Sequence, residues 1–104
     1  MKKQVEKNNI ADMKNKCDNV ARMLKALSHP QRLIILCTLS EGEKTVGEIE
    51  QACNASQSAV SQFLNRMRLE GLVHSEKRAQ FVYYNIKDPQ VKQLIKSLYK
   101  IFCK

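Results

Sequence analysis

Residues 45–71 read TVGEIEQACNASQSAVSQFLNRMRLEG, two short helical stretches that break at Asn54-Ala55. Thr45 and Glu48 stand three apart, so a threonine hydroxyl and a glutamate carboxylate can satisfy helix-start amides reciprocally. That predicts a short helix through about Cys53. Ser56 is a good N-cap for a second helix, which runs to about Glu70 and stops at Gly71. Two short helices joined by a tight turn make a helix-turn-helix.

At 100° per residue, Val60, Phe63, Leu64 and Met67 share one side of the second helix and must face a core. Ser58, Ser61, Gln62 and Asn65 fall on the other side, Gln57 is exposed at the first turn, and Arg66 and Arg68 flank them. A merely solvated face would carry more Glu and Lys. Short hydroxyls and amides suit a DNA major groove, where amides pair with adenine edges and Ser and Arg reach phosphates.

Upstream, Ile10, Met13, Val20, Met23, Leu24 and Leu27 recur at helical spacing. Residues 1–9 read as a flexible basic arm ahead of a single domain, 10–104. Ser28-His29-Pro30 ends the first helix and starts another, with Pro30 suited to a first helical position. That helix is apolar almost all round (Leu33, Ile34, Ile35, Leu36, Cys37, Leu39), which predicts the buried centre of the domain, and Gly42 closes it. Downstream, Leu72–Ser75 and Gln80–Ile86 read as a hairpin whose tip carries Lys77 and Arg78. Asp88-Pro89 opens a last helix with a stripe of Val91, Leu94, Ile95, Leu98 and Phe102. The predicted order, α-α-α-α-β-β-α, is a winged helix-turn-helix, mainly α with a small β-hairpin.

The charge agrees with a polyanionic partner. The 104 residues carry a formal net charge of +8. Residues 1–54 hold nine basic and seven acidic side chains, whereas residues 55–104 hold nine and three. Double-stranded DNA is the first candidate and an anionic membrane surface the second. No apolar run is long enough for a membrane span, and the charged start lacks a signal-peptide core, so a cytoplasmic location is expected. No Gly-rich phosphate loop and no triad is present, so neither an enzyme nor a cofactor is expected.

Leu27-Ser28-His29-Pro30-Gln31-Arg32-Leu33 followed by Ile34-Ile35-Leu36 resembles the second-helix signature of the ArsR/SmtB winged-helix repressors. Val46–Ile49 and Ser56–Gln62 are similar to that family's helix-turn-helix, and Gly71-Leu72-Val73 with Phe81–Tyr84 to its wing. The resemblance covers about residues 18–103. It implies a homodimer held by its first and last helices, bound to a near-palindromic operator and released by a signal. Phe63 departs from the family, which commonly has His before Leu64.

Members differ mostly in what they sense. Metal-sensing branches use paired thiolates near the third helix, or Asp and His on the last. Here the third helix has only Cys53, no His follows His74, and Asp88 is followed by Pro89-Gln90, so no metal ligand is assigned. The four cysteines, Cys17, Cys37, Cys53 and Cys103, form no CxxC pair and in cytoplasm should be reduced. On its residues alone Cys37 reads better as a small buried hydrophobe than as a reactive thiol. The pairing of Cys37 with Cys103 resembles the dithiol, BigR/SqrR/HlyU-like branch, which senses persulfide or oxidants. The resemblance implies that these two are the sensor thiols, with reactive sulfur species or oxidants as inducer, and leaves Cys17 and Cys53 incidental. The alternatives are a metal- or As(III)-responsive repressor of the same family, should thiolates converge, and a constitutive DNA-binding protein with structural cysteines.

Overall fold

The computed structural model describes residues 2–103, with side chains from residue 10 onward. Its elements are α1 (Lys2–Leu27), α2 (Pro30–Leu39), β1 (Lys44–Thr45), α3 (Val46–Cys53), α4 (Gln57–Leu69), β2 (Val73–Arg78), β3 (Phe81–Ile86) and α5 (Pro89–Phe102). Helix α1 starts at Lys2, so residues 2–9 continue the helix expected from Ile10 and do not form a separate arm. They contain no Gly or Pro to interrupt it, and Lys, Glu and Gln are good helix formers.

The helix starts follow the predicted caps. His29 accepts the Gln31 amide at Nδ1 (3.2 Å) with Pro30 as the first residue of α2. Thr45 and Glu48 form the full capping box, the Thr45 amide reaching Glu48 at 2.9 Å and the Glu48 amide reaching the Thr45 hydroxyl at 3.3 Å. Ser56 accepts the Ala59 amide at 3.1 Å, and Asp88 the Gln90 amide at 2.8 Å. The turn between α3 and α4 rests on Asn54, in the left-handed region at φ 51°, which Asn adopts more readily than other residues with a Cβ. Gly71, at φ 80°, carries the chain out of α4.

Ile35, Leu36 and Leu39 of α2 are fully buried and pack with Ile49, Val60, Leu64, Met67, Val91 and Ile95 from α3, α4 and α5. Helix α2 is central as expected, but not on all sides: Ile34 is exposed and Leu33 and Cys37 are half-buried. The side left open faces α5. Among the described side chains of α1, those of its last turns reach the core, through Met23, Ala26 and Leu27. Ile10, Met13, Val20 and Leu24 remain exposed.

The sheet has three strands in the order β1-β3-β2, one more than the sequence indicated. Lys44 and Thr45 pair with Tyr84 and Tyr83, using the free edge of β3. Two residues with no apolar alternation carry no strand signal. Strand β2 also runs three residues past its expected end, through Glu76, Lys77 and Arg78. These are held by pairing with Phe81, Val82 and Tyr83, while their own side chains are exposed.

Candidate DNA interface and thiol pair

Helix α4 divides as its periodicity requires. Val60, Leu64 and Met67 are buried, and Phe63 is half-buried, its ring centroid 5.0 Å from that of His29. Gln57, Ser58, Ser61, Gln62, Asn65, Arg66 and Arg68 are all exposed. Within that face Arg68 donates to the Asn65 side-chain oxygen at 2.8 Å, so these two hold each other in place. Gln62, Asn65 and Arg66 border one shallow depression beside Phe63 and Leu69. Exposed amides and hydroxyls on one helix face, with the positive end of the helix dipole at Gln57, form a surface that can meet a base edge or a phosphate.

A contact absent from the sequence reading ties down the end of this helix. Arg32, nearly buried at the start of α2, donates through Nη1 and Nη2 to the two carboxylate oxygens of Glu70 at 2.9 and 2.8 Å. Its Nη1 also donates to the Ala26 carbonyl at 2.7 Å. One guanidinium therefore joins the last turn of α1, the first turn of α2 and the end of α4. The Arg32 hydrogen bonds hold the Glu70 carboxyl below the ordinary carboxylate range. Arg32 lies in the quoted second-helix signature, but nothing in the sequence pointed to Glu70 as its partner.

At the wing, pairing of Lys77 with Val82 and of Arg78 with Phe81 puts the two basic side chains on opposite faces of the hairpin. Arg78 is already engaged within the protein. Its guanidinium forms an ion pair with Glu43 and lies 4.0 Å above the Tyr83 ring. Lys77 is exposed and forms no ion pair among the described residues. The two wing residues expected to act together thus have different surroundings.

Cys37, in the last turn of α2, and Cys103, the C-cap of α5, line one cleft of about 600 Å³. Cys37 is half-buried and Cys103 exposed. Burial pushes the Cys37 thiol above its ordinary value, and the nearby Cys103 adds to the effect. Cys53 is buried in the core beside Ile49, and Cys17 is exposed on α1, far along the chain from the cleft. Among the described residues no three His, Cys, Asp or Glu side chains converge as a metal site, and no helix is long and apolar enough to cross a membrane.

Residues 29–75 match the model of the bacterial regulatory protein, arsR family. The chain is 41% identical over 92 residues to the biofilm growth-associated repressor of Xylella fastidiosa (strain Temecula1), covering 88% of this chain and 81% of the relative. The structure of the transcriptional regulator HlyU from Vibrio vulnificus superimposes with a TM-score of 0.85 at 42% identity, over 91% of this chain and 99% of that one. The homodimeric winged helix-turn-helix DNA-binding domain of Mb0332 from Mycobacterium bovis, a possible ArsR-family regulator, gives a TM-score of 0.70 at 30% identity, over 86% and 82%.

Proposed function

The chain belongs to the arsR family of bacterial regulatory proteins, DNA-binding transcriptional repressors and not enzymes, and on that premise we propose that it is a homodimer whose hold on its operator is switched by joining Cys37 to Cys103. The observation that carries the proposal is the opening of both thiols into one cleft between α2 and α5. The exposed apolar side chains of α1 and α5 outside the cleft support the dimer: Ile10, Met13, Val20 and Leu24 on the first and Ile101 on the second, more apolar surface than a monomer ordinarily leaves in water. Two copies of α4 then meet successive major-groove half-sites, about 34 Å or a multiple of it apart. Gln57, Ser58, Ser61, Gln62 and Asn65 read bases, and Arg66, Arg68 and Lys77 hold phosphates.

The chemistry needs a sulfur donor or an oxidant. A hydropersulfide, RSSH, passes its outer sulfur to the Cys103 thiolate, and RSH leaves. The Cys37 sulfur then bonds to the Cys103 sulfur, the bond to the outer sulfur breaks, and hydrogen sulfide departs. If a second sulfur has been added first, Cys37 bonds instead to the inner added sulfur, the outer one leaves as hydrogen sulfide, and a trisulfide remains. With a peroxide, the Cys103 thiolate takes one oxygen, the O–O bond breaks and water or an alcohol leaves, and Cys37 then displaces water from the resulting sulfenic acid. Cys103 closes α5 through a 2.8 Å bond from its amide to the Tyr99 carbonyl, whereas Cys37 sits in a core helix, so Cys103 is the partner that moves. Drawing the end of α5 onto α2 shifts the proposed dimer face and the spacing of the two α4 helices.

Intact mass, read beside operator binding, tests this. Loss of two hydrogens or addition of whole sulfur atoms, in step with operator release and abolished in Cys37→Ser and Cys103→Ser, is expected. A Cys37→Ser protein that still released DNA on polysulfide treatment would overturn the mechanism. A stable monomer at micromolar concentration, with and without operator, would overturn the dimer.

A further inference from the structure

We propose that the cleft between α2 and α5 binds the alkyl chain of a small, uncharged, thiol-reactive molecule and presents it to Cys37 and Cys103. The proposal names the inducer class for the switch above and rests on that reading only for its effect on DNA. Leu33 and Ile34 line the cleft from α2, Ala52 from α3, and Leu98, Tyr99 and Phe102 from α5. Its volume, about 600 Å³, falls in the range of small-molecule sites.

The polar groups on the wall are few and mostly occupied. The Thr38 hydroxyl already donates to the Ile34 carbonyl at 2.8 Å. Glu41 is the one charged residue of the lining, and its nearest cation, Lys44, stands 3.9 Å away. Among the described residues the lining holds no lysine or arginine, so inorganic polysulfide anions and negatively charged peptide persulfides find no cation on it. An alkyl chain, by contrast, gains burial at every methylene. Two nucleophilic sulfurs, one from α2 and one from the end of α5, distinguish this cleft from a simple packing defect. A neutral, half-buried Cys37 reacts slowly with a passing reagent, and a bound one is held at high local concentration. The alkyl hydropersulfide reacts as written above, RSH leaving with its chain.

The test uses the full-length reduced protein and alkyl methanethiosulfonates from methyl to hexyl. The cysteine thiolate bonds to the alkylthio sulfur, the S–S bond of the reagent breaks, methanesulfinate leaves with the electron pair, and the thiol proton goes to solvent. Peptide mass spectrometry gives separate rates at Cys37, Cys103 and the exposed control Cys17. The expected result is a rate at Cys37 that climbs about fourfold per methylene, a shallower climb at Cys103, and little change at Cys17. Ala52→Phe, a substitution at an exposed position that fills the cleft from α3, should flatten the Cys37 series while circular dichroism stays native. A Cys37 series no steeper than that of Cys17, as a cleft filled by a second copy would give, overturns the proposal, and so does a slope that survives Ala52→Phe. Bridging and operator release are read separately: a slope without a bridge keeps the site and removes the switch, and a bridge without a slope does the reverse.

Discussion

Arg32 and Glu70 meet as a two-pronged ion pair, 2.9 and 2.8 Å, across 38 positions of sequence, and the pair ties the end of the recognition helix to the start of the central one. The Arg32 side chain is only 10% exposed, so it depends on this partner and on the Ala26 carbonyl. Glu70→Gln keeps the shape and removes the charge. We expect a loss of about 1–2 kcal/mol in urea unfolding at neutral pH, kept small by the partial exposure of Glu70. Operator affinity should fall as well, since α4 loses its orienting tie.

The same pair makes stability depend on acid. Glu70 has a folded-state pKa below its unfolded one, so its contribution is complete above the ordinary carboxyl value of 4.5 and disappears as pH falls through the lower, folded value. Wild-type and Glu70→Gln unfolding curves should therefore converge as the pH is taken well below 4.5. A gap that stayed constant down to acid would show that the charge of Glu70 contributes nothing.

Lys77 and Arg78, adjacent in sequence, should behave differently. Lys77→Ala is expected to weaken binding to all DNA sequences together and to lower the salt slope by about 1 for each subunit engaged. Arg78→Ala removes the Glu43 ion pair and the stacking on Tyr83, so its first effect is on the wing: lower thermal stability, with a smaller change in salt slope. Equal salt slopes for the two variants would mean that Arg78 leaves Glu43 when DNA binds.

Much of this was legible because short-range chemistry decides it. The Thr45–Glu48 box, the Ser56 and Asp88 caps and the period of Val60, Leu64 and Met67 depend on neighbours within one or two turns, and the structure repeats them. What the sequence hid depends on contacts between distant positions. Strand β1 exists because β3 has an edge to offer, Glu70 matters because Arg32 lies across from it, and Arg78 is occupied by a residue 35 positions away. The openness of α2 toward α5 belongs to the same class: a run that is apolar all round does not say which side is left uncovered. The site residues on α4 could be placed on a face, but the lock between Arg68 and Asn65 needed side-chain positions.

The hairpin turn carries a backbone cost that a single substitution can relieve. Ala79 sits at φ 56°, a region unfavourable for any residue with a Cβ by about 1–2 kcal/mol. Ala79→Gly removes that cost and adds freedom to the unfolded chain, so a net gain of about 0.5–1 kcal/mol is expected in thermal or urea unfolding. A loss of stability would mean that the Ala79 methyl packs in a way that outweighs the strain.

On the proposed reading, the outer face of α4 decides which DNA is held. Gln62 and Ser58 are exposed on it and make no side-chain hydrogen bond among the described residues, so alanine at either should remove a proposed DNA contact without disturbing the core beneath. For Gln62→Ala we expect the operator to lose about 1–3 kcal/mol relative to a scrambled duplex, the usual worth of a bidentate amide–base pair. Non-specific affinity should change little, because phosphate contacts from Arg66, Arg68 and Lys77 remain. Ser58→Ala, at the first turn of the helix, should cost less and affect both duplexes. Gel shifts at fixed salt with the two duplexes separate these outcomes. Full operator discrimination by the Gln62→Ala protein would move base readout to another part of the molecule, and the wing residue Lys77 would be the next position to test.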